Sequence, residues 1–124
     1  MSGAQDGLDD VARLRTTRLR LVRARVSGAS MLPTLAEGDF LLCRPLRRPG
    51  RGRGVRPGDV VVLERPDRPG LVLIKRVVRR EGDGWWVEGD NPAESADSRV
   101  FGPVPESALL ARALARYSPT PRRL

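Results

Sequence analysis

The chain has 124 residues, 23 Lys and Arg against 15 Asp and Glu, a net charge of +8, and no histidine. Its length suits one domain with one modest core. The missing imidazole excludes Ser-His-Asp and Cys-His catalysis, and it weakens zinc catalysis, whose sites lean on His and Cys.

The single cysteine, Cys43, cannot form an internal disulfide, and one unpaired thiol fits a reducing compartment. The longest apolar runs, Val60-Val61-Val62-Leu63 and Leu71-Val72-Leu73-Ile74, fall far short of the roughly 18–20 residues that cross a bilayer. Asp6, Asp9 and Asp10 stand where a signal peptide would be apolar. A cytoplasmic location is expected, with no transmembrane segment, no metal and no cofactor.

In chain order, residues 1–17 read as a flexible polar tail, with a short helical turn over 8–14. Residues 18–26 alternate like a strand, with a one-residue phase shift that marks a bulge or bend. They deliver the chain to Ser27-Gly28-Ala29-Ser30-Met31-Leu32-Pro33-Thr34. Glu37-Gly38-Asp39 turns into a short strand, 40–43. Residues 44–58 carry six arginines, four glycines and three prolines, which is loop chemistry. Strands follow at 60–63 and 71–79, joined by a turn at 66–70, and Glu81-Gly82-Asp83-Gly84 leads into another at 85–88. A loop over 89–99 reaches Val100-Phe101. Segment 108–117, rich in Ala, Leu and Arg, is helix by propensity alone, and 118–124 is a C-terminal tail. Many short strands with Gly/Pro turns predict an all-β, mainly antiparallel domain over 18–117, a small barrel or folded-over sheet.

A hydrolase without histidine needs another base. Arginine does not deprotonate in proteins, but lysine can serve when it is neutral. Lys75 is the only lysine, and it sits between Ile74 and Arg76 in a β-branched run. Burial there would lower its pKa from about 10.4 toward the working range near 7–8. Arg76 should face the other side of the strand. Ser30 is the candidate nucleophile, after a Gly28-Ala29 turn and before Pro33. Gly-x-Ser alone is a weak signal, and a lone lysine is more often a surface residue. The loop Gly89-Asp90-Asn91-Pro92 to Ser95-Ala96-Asp97-Ser98-Arg99 is dense in short polar groups. Ser95 could donate or accept near Lys75, and Asp97 could pair with Arg99.

Together these segments resemble the boxes of the type I signal peptidases (S26-type). Ser30-Met31-Leu32-Pro33-Thr34-Leu35 with Gly38-Asp39 is similar to their nucleophile box, and Gly58 to Val62 to the next strand. Ile74 to Val78 is similar to the lysine box. Gly89-Asp90-Asn91, Ser95 to Arg99 and Phe101 to Pro105 are similar to the last box. Order and spacing agree over 26–116. Within that family the Arg-rich turn, Trp85-Trp86 and Gly89-Asp90-Asn91-Pro92-Ala93 resemble the nickel-type superoxide dismutase maturation proteases.

The resemblance implies a twisted, barrel-like antiparallel sheet with short helical turns, and a strand over 108–117. It implies a serine endopeptidase that removes an N-terminal leader from a precursor protein, here a superoxide dismutase precursor. Ser30 would attack the scissile carbonyl, Lys75 would take its proton, and Ser95 would hydrogen-bond the lysine. Asp97 and Arg99 would hold the loop. The Ser30 N–H would help form the oxyanion hole, to which Gly28 offers no hydroxyl. Gly28, Met31 and Pro33 would line the groove, where an extended substrate adds to a strand edge near Ser30 and 71–75.

Two further enzyme readings are a LexA-like self-cleaving Ser-Lys protease and a general signal-peptidase relative. A reading from another class is a nucleic-acid-binding module, which the +8 charge and the 44–58 arginines would suit. Five aromatics, Phe40, Trp85, Trp86, Phe101 and Tyr117, supply no stacking platform, so nucleic acid is not the expected partner.

Overall fold

In a computed structural model of the protein, the described residues are 11–12 (backbone only), 21–46 and 54–124. They form the strands β1 (Val11–Ala12), β2 (Val22–Arg25), β3 (Phe40–Pro45), β4 (Val60–Glu64), β5 (Val72–Glu81), β6 (Gly84–Glu88), β7 (Val104–Pro105), β8 (Leu109–Ser118) and β9 (Arg122–Arg123). One short helix, α1 (Ser98–Phe101), and 3₁₀ turns at Pro92–Glu94 and Glu106–Ala108 complete them.

All strands join one antiparallel sheet in the order β1-β2-β3-β8-β4-β5-β6-β7, with β9 on β8. The all-β expectation holds. The order does not close on itself, so the sheet is an open, folded one and not a barrel. Strand β4 explains the folding-over. Its run Val60-Val61-Val62-Leu63 is buried on both faces, as a near-continuous apolar strand must be. Val60 and Val62 join one core cluster with Ala24, Met31, Leu35, Leu41 and Cys43. Val61 and Leu63 join the other with Val77, Trp85, Val87 and Val104.

One sequence expectation changes, and one local propensity is overridden. The helical turn over 8–14 is, at Val11–Ala12, a short strand paired with Ala24 and Arg23; the remainder of 1–20 lies outside the described residues. Helix propensity fails at β8, which is a strand as the resemblance implied. It lies between β3 and β4 and buries Leu109, Ala111 and Ala113, so pairing on both edges overrides the propensity of an Ala/Leu run. Val100-Phe101 closes α1. Of the 44–58 arginine loop, Arg44 and Pro45 extend β3, and 47–53 lie outside the described residues.

Candidate active site

Strand β5 positions the lysine. Lys75 pairs with Val61 and Leu73 with Leu63, so both turn toward the second cluster, while Ile74 and Val72 pack on the first. Lys75 is 3% exposed. Burial pulls its pKa down from 10.5 to about 8. The Asp97 carboxylate opposes that shift, and Arg99 and Arg65 add to it.

The 89–99 loop surrounds the amine. The Ser95 hydroxyl lies 3.1 Å from Lys75 Nζ and 2.6 Å from Asp97 Oδ2. Asp97 is fully buried. Burial alone would raise its carboxyl, but hydrogen bonds from Arg99, Ser95 and the backbone N–H groups of Gly89 and Arg99 reverse that. They hold it far below the usual carboxylate range. The Arg99 contact is an ion pair of 2.7 Å, and Asp97 also caps α1. An ionised Asp97 can only accept, so the Ser95 hydroxyl spends its proton there and must accept from the lysine. A neutral Lys75 that donates to Ser95 keeps its lone pair free for another proton.

Ser30 sits in a loop pinned at its base, where Val26 N–H donates to Asp39 O and Gly38 N–H to Val26 O, both at 2.8 Å. Asn91 holds the turn from above: its N–H donates to Ser30 O (2.8 Å) and its Nδ2 to Ala29 O (3.0 Å). Gly89 lets these parts meet. A Cβ there would stand 2.3 Å from Ser95 Oγ and 2.6 Å from Ser30 O, closer than any side chain permits. The Ser30 backbone and Ser95 therefore face each other across Gly89. The Ser30 hydroxyl and backbone N–H make no hydrogen bond among the described residues.

A second brace, which no single residue of the sequence announces, holds the site. Arg76 Nε and Nη2 grip Asp90 at 2.9 and 2.8 Å, and Nη1 donates to Gly58 O at 2.7 Å. Thr34 Oγ1 donates to the same carboxylate at 2.6 Å. The residue beside the lysine thus ties β5 to the loop that carries Ser30. Sequence offered one signal, the acid–amide pair Asp90-Asn91, but not its distant partners.

The expected site residues Lys75, Ser95, Asp97 and Arg99 form one hydrogen-bonded chain; Ser30 lies beside it, its carbonyl held by Asn91. Gly28 and Pro33 are exposed beside it. Gly28 has φ +78, in the left-handed region, so a serine there would be strained even with space for its Cβ. Met31 does not line a groove. It is 1% exposed in the first cluster, and the turn presents Leu32, 38% exposed, in its place. The anchoring of Met31 and Leu35 in the core explains the reversal.

A family model described as Peptidase S24-like matches residues 9–102. The chain is 35% identical to mitochondrial inner membrane protease subunit 1 of Xenopus tropicalis over 113 residues, 75% of this chain and 66% of that protein. It is 35% identical to mitochondrial ATP-independent inner membrane protease subunit 1a of Arabidopsis thaliana across 84% of this chain and 74% of that one. It is 37% identical to mitochondrial inner membrane protease subunit 2 of Mus musculus, across 73% and 63%. The chain thus spans between 63% and 74% of these relatives' own lengths.

The S24-like family model and the inner membrane protease relatives agree with the signal-peptidase-like resemblance, and none of the relatives named here carries superoxide dismutase in its name. One expectation is corrected. The cytoplasmic location is overturned, because the relatives are named for the mitochondrial inner membrane. Cys43, one of the features that suggested it, is a fully buried packing residue with its thiol pushed up to about 12 by burial. Such a thiol is inert and reports nothing about compartment. Among the described residues no helix is long and apolar enough to cross a membrane.

Proposed function

The chain belongs to the Peptidase S24-like family and is a serine peptidase; we propose that it cuts an N-terminal leader from a precursor protein with Ser30 as nucleophile and Lys75 as general base. The observation that carries this reading is the buried lysine, whose pKa of about 8 leaves about one amine in ten neutral at pH 7. That neutral amine takes the Ser30 proton as Oγ attacks the scissile carbonyl. It then returns the proton to the leaving amine, and a water deprotonated by Lys75 releases the acyl group from Ser30. The Ser30 N–H supplies one donor to the oxyanion. Ser95 positions the amine, and Asp97 and Arg99 hold Ser95.

The substrate enters extended. Residues 72–75 of β5 pair with β4 on one edge, whereas β6 begins its pairing with β5 only at Arg76. Among the described residues an unpaired edge thus runs up to Lys75, where a peptide can add as a strand. Gly28 and Pro33 flank its path, and Leu32 replaces Met31 as the apolar contact.

The finer substrate proposal is a nickel-type superoxide dismutase precursor. It rests on the resemblance of Trp85-Trp86 and Gly89 to Ala93, and the relatives named above do not carry that substrate in their names. The test incubates the protein with precursors bearing an N-terminal leader, that one included, and reads leader loss by mass. Ser30→Ala and Lys75→Ala should each abolish cleavage. Cleavage that survives both would overturn the dyad, and cleavage of other precursors alone would overturn the finer substrate.

A further inference from the structure

The arginines of this protein fall into two groups. In the half built from β4 to β7 five of six face carboxylates, Arg68 being the exception: Arg65 with Asp67, Arg76 with Asp90, Arg79 with Glu81, Arg80 with Glu106, Arg99 with Asp97. Strands β2, β3, β8 and β9 hold seven arginines and no Asp or Glu. Arg116 reaches Asp39 at 3.4 Å. Arg23, Arg44, Arg112, Arg122 and Arg123 make no ion pair among the described residues.

Register puts most of this charge on one side. Ala24 and Leu41 pair across β2 and β3 on the core face, so Arg23 opposite Leu42 and Arg25 opposite Phe40 look outward. Arg44 lies directly opposite Arg112, and Arg123 opposite Ala115 on the row of Leu42. Two cations directly across adjacent strands repel. Arg112 Nε is, moreover, buried without a hydrogen-bond partner. Among the described residues no carboxylate pairs with Arg23, Arg44, Arg112 or Arg123 on this face.

We propose that the outward face of β2, β3, β8 and β9 docks on an anionic lipid bilayer. Charge complementarity supplies the attraction, about 1 kcal/mol for each arginine near the surface, or about fivefold in partitioning. Phe40 and Tyr117 lie among the arginines with ring centroids 5.9 Å apart, Arg23 sits over the Phe40 ring, and Tyr117 is 37% exposed. Amphipathic rings set among arginines suit the headgroup layer. A single-stranded nucleic acid fits less well, because these rings are engaged with each other and with Arg23 and do not offer a free face to a base.

The test is co-sedimentation of the whole chain with vesicles of phosphatidylcholine, alone or mixed with an equal amount of phosphatidylglycerol. Binding is expected to the mixed vesicles alone, with release at high salt. Replacing Arg23, Arg44 and Arg123 together by glutamine should lower partitioning about a hundredfold, at about fivefold each. Arg79→Gln, an arginine with a carboxylate partner, should leave it unchanged. An unshifted thermal midpoint shows that the triple variant is folded. Failure to bind the mixed vesicles, wild-type binding by the folded triple variant, or tighter binding to a single-stranded oligonucleotide would each overturn the proposal.

Discussion

Lys75 concentrates the chemistry of the molecule in one titration. The proposed base acts only when neutral, so kcat/KM should climb about tenfold per pH unit below about 8 and level off above it. A profile flat from pH 6 to pH 9 would remove the lysine from the mechanism. The same group sets a stability slope of defined sign. Its folded pKa lies below its unfolded value, so the unfolded chain holds the extra proton between about 8 and 10.5. Stability therefore rises with pH across that window, and the full cost of burial is present below it. Moving the pKa from 10.5 to about 8 costs about 3 kcal/mol at about 1.36 kcal/mol per tenfold. Lys75→Met should therefore abolish cleavage yet stabilise the fold at pH 7 by about 2 kcal/mol, after about 1 kcal/mol for the lost Ser95 hydrogen bond. Denaturant midpoints measure it. Lys75 was legible in the sequence because a lone lysine stood in an apolar strand with no histidine to compete. The direction of the Ser95 hydrogen bond was not, because it depends on Asp97 being ionised, which only the converging donors decide.

At the scale of elements, the proposed site is two loops tied to one strand. The loop carrying Ser30 owes its place to Asn91 and to the Arg76–Asp90–Thr34 bridge, and not to any regular structure of its own. Asp90→Asn keeps the shape of the side chain but weakens both contacts. It should cost about 1–3 kcal/mol of stability and lower kcat by up to about 10²-fold, with KM less affected, because the nucleophile is displaced while the peptide edge remains. Unchanged kcat in a folded Asp90→Asn protein would show that the bridge is merely structural. Strand order along 40–88 could be read from alternation and turn residues, since local pattern and tertiary role agree there. They disagree at β8, where alanines and leucines favour a helix in isolation and a two-sided sheet position decides otherwise. The fate of Met31 was equally hidden: periodicity within a turn is undefined, so nothing local says which of Met31 and Leu32 faces inward.

Across the whole molecule, β4 ties two apolar clusters into one cooperative unit, since alternate residues of one strand supply both. Leu41→Ala and Leu63→Ala each empty a fully buried site, one per cluster. Each should cost about 2–5 kcal/mol and lower the melting temperature by more than about 10 °C in a single transition. Two separate transitions by calorimetry would mean that the clusters melt independently. The division of arginines between the two halves was invisible to composition, because a net charge does not record which cations already have partners. The unpaired edge of 72–75 carries a consequence for the choice of substrate. Main-chain hydrogen bonds accept any sequence, provided the chain is straight and its own N–H and C=O groups are unclaimed. A protease that recruits its substrate this way discriminates first by foldedness: a leader still unstructured is cut, and the same residues within a finished helix or sheet are spared.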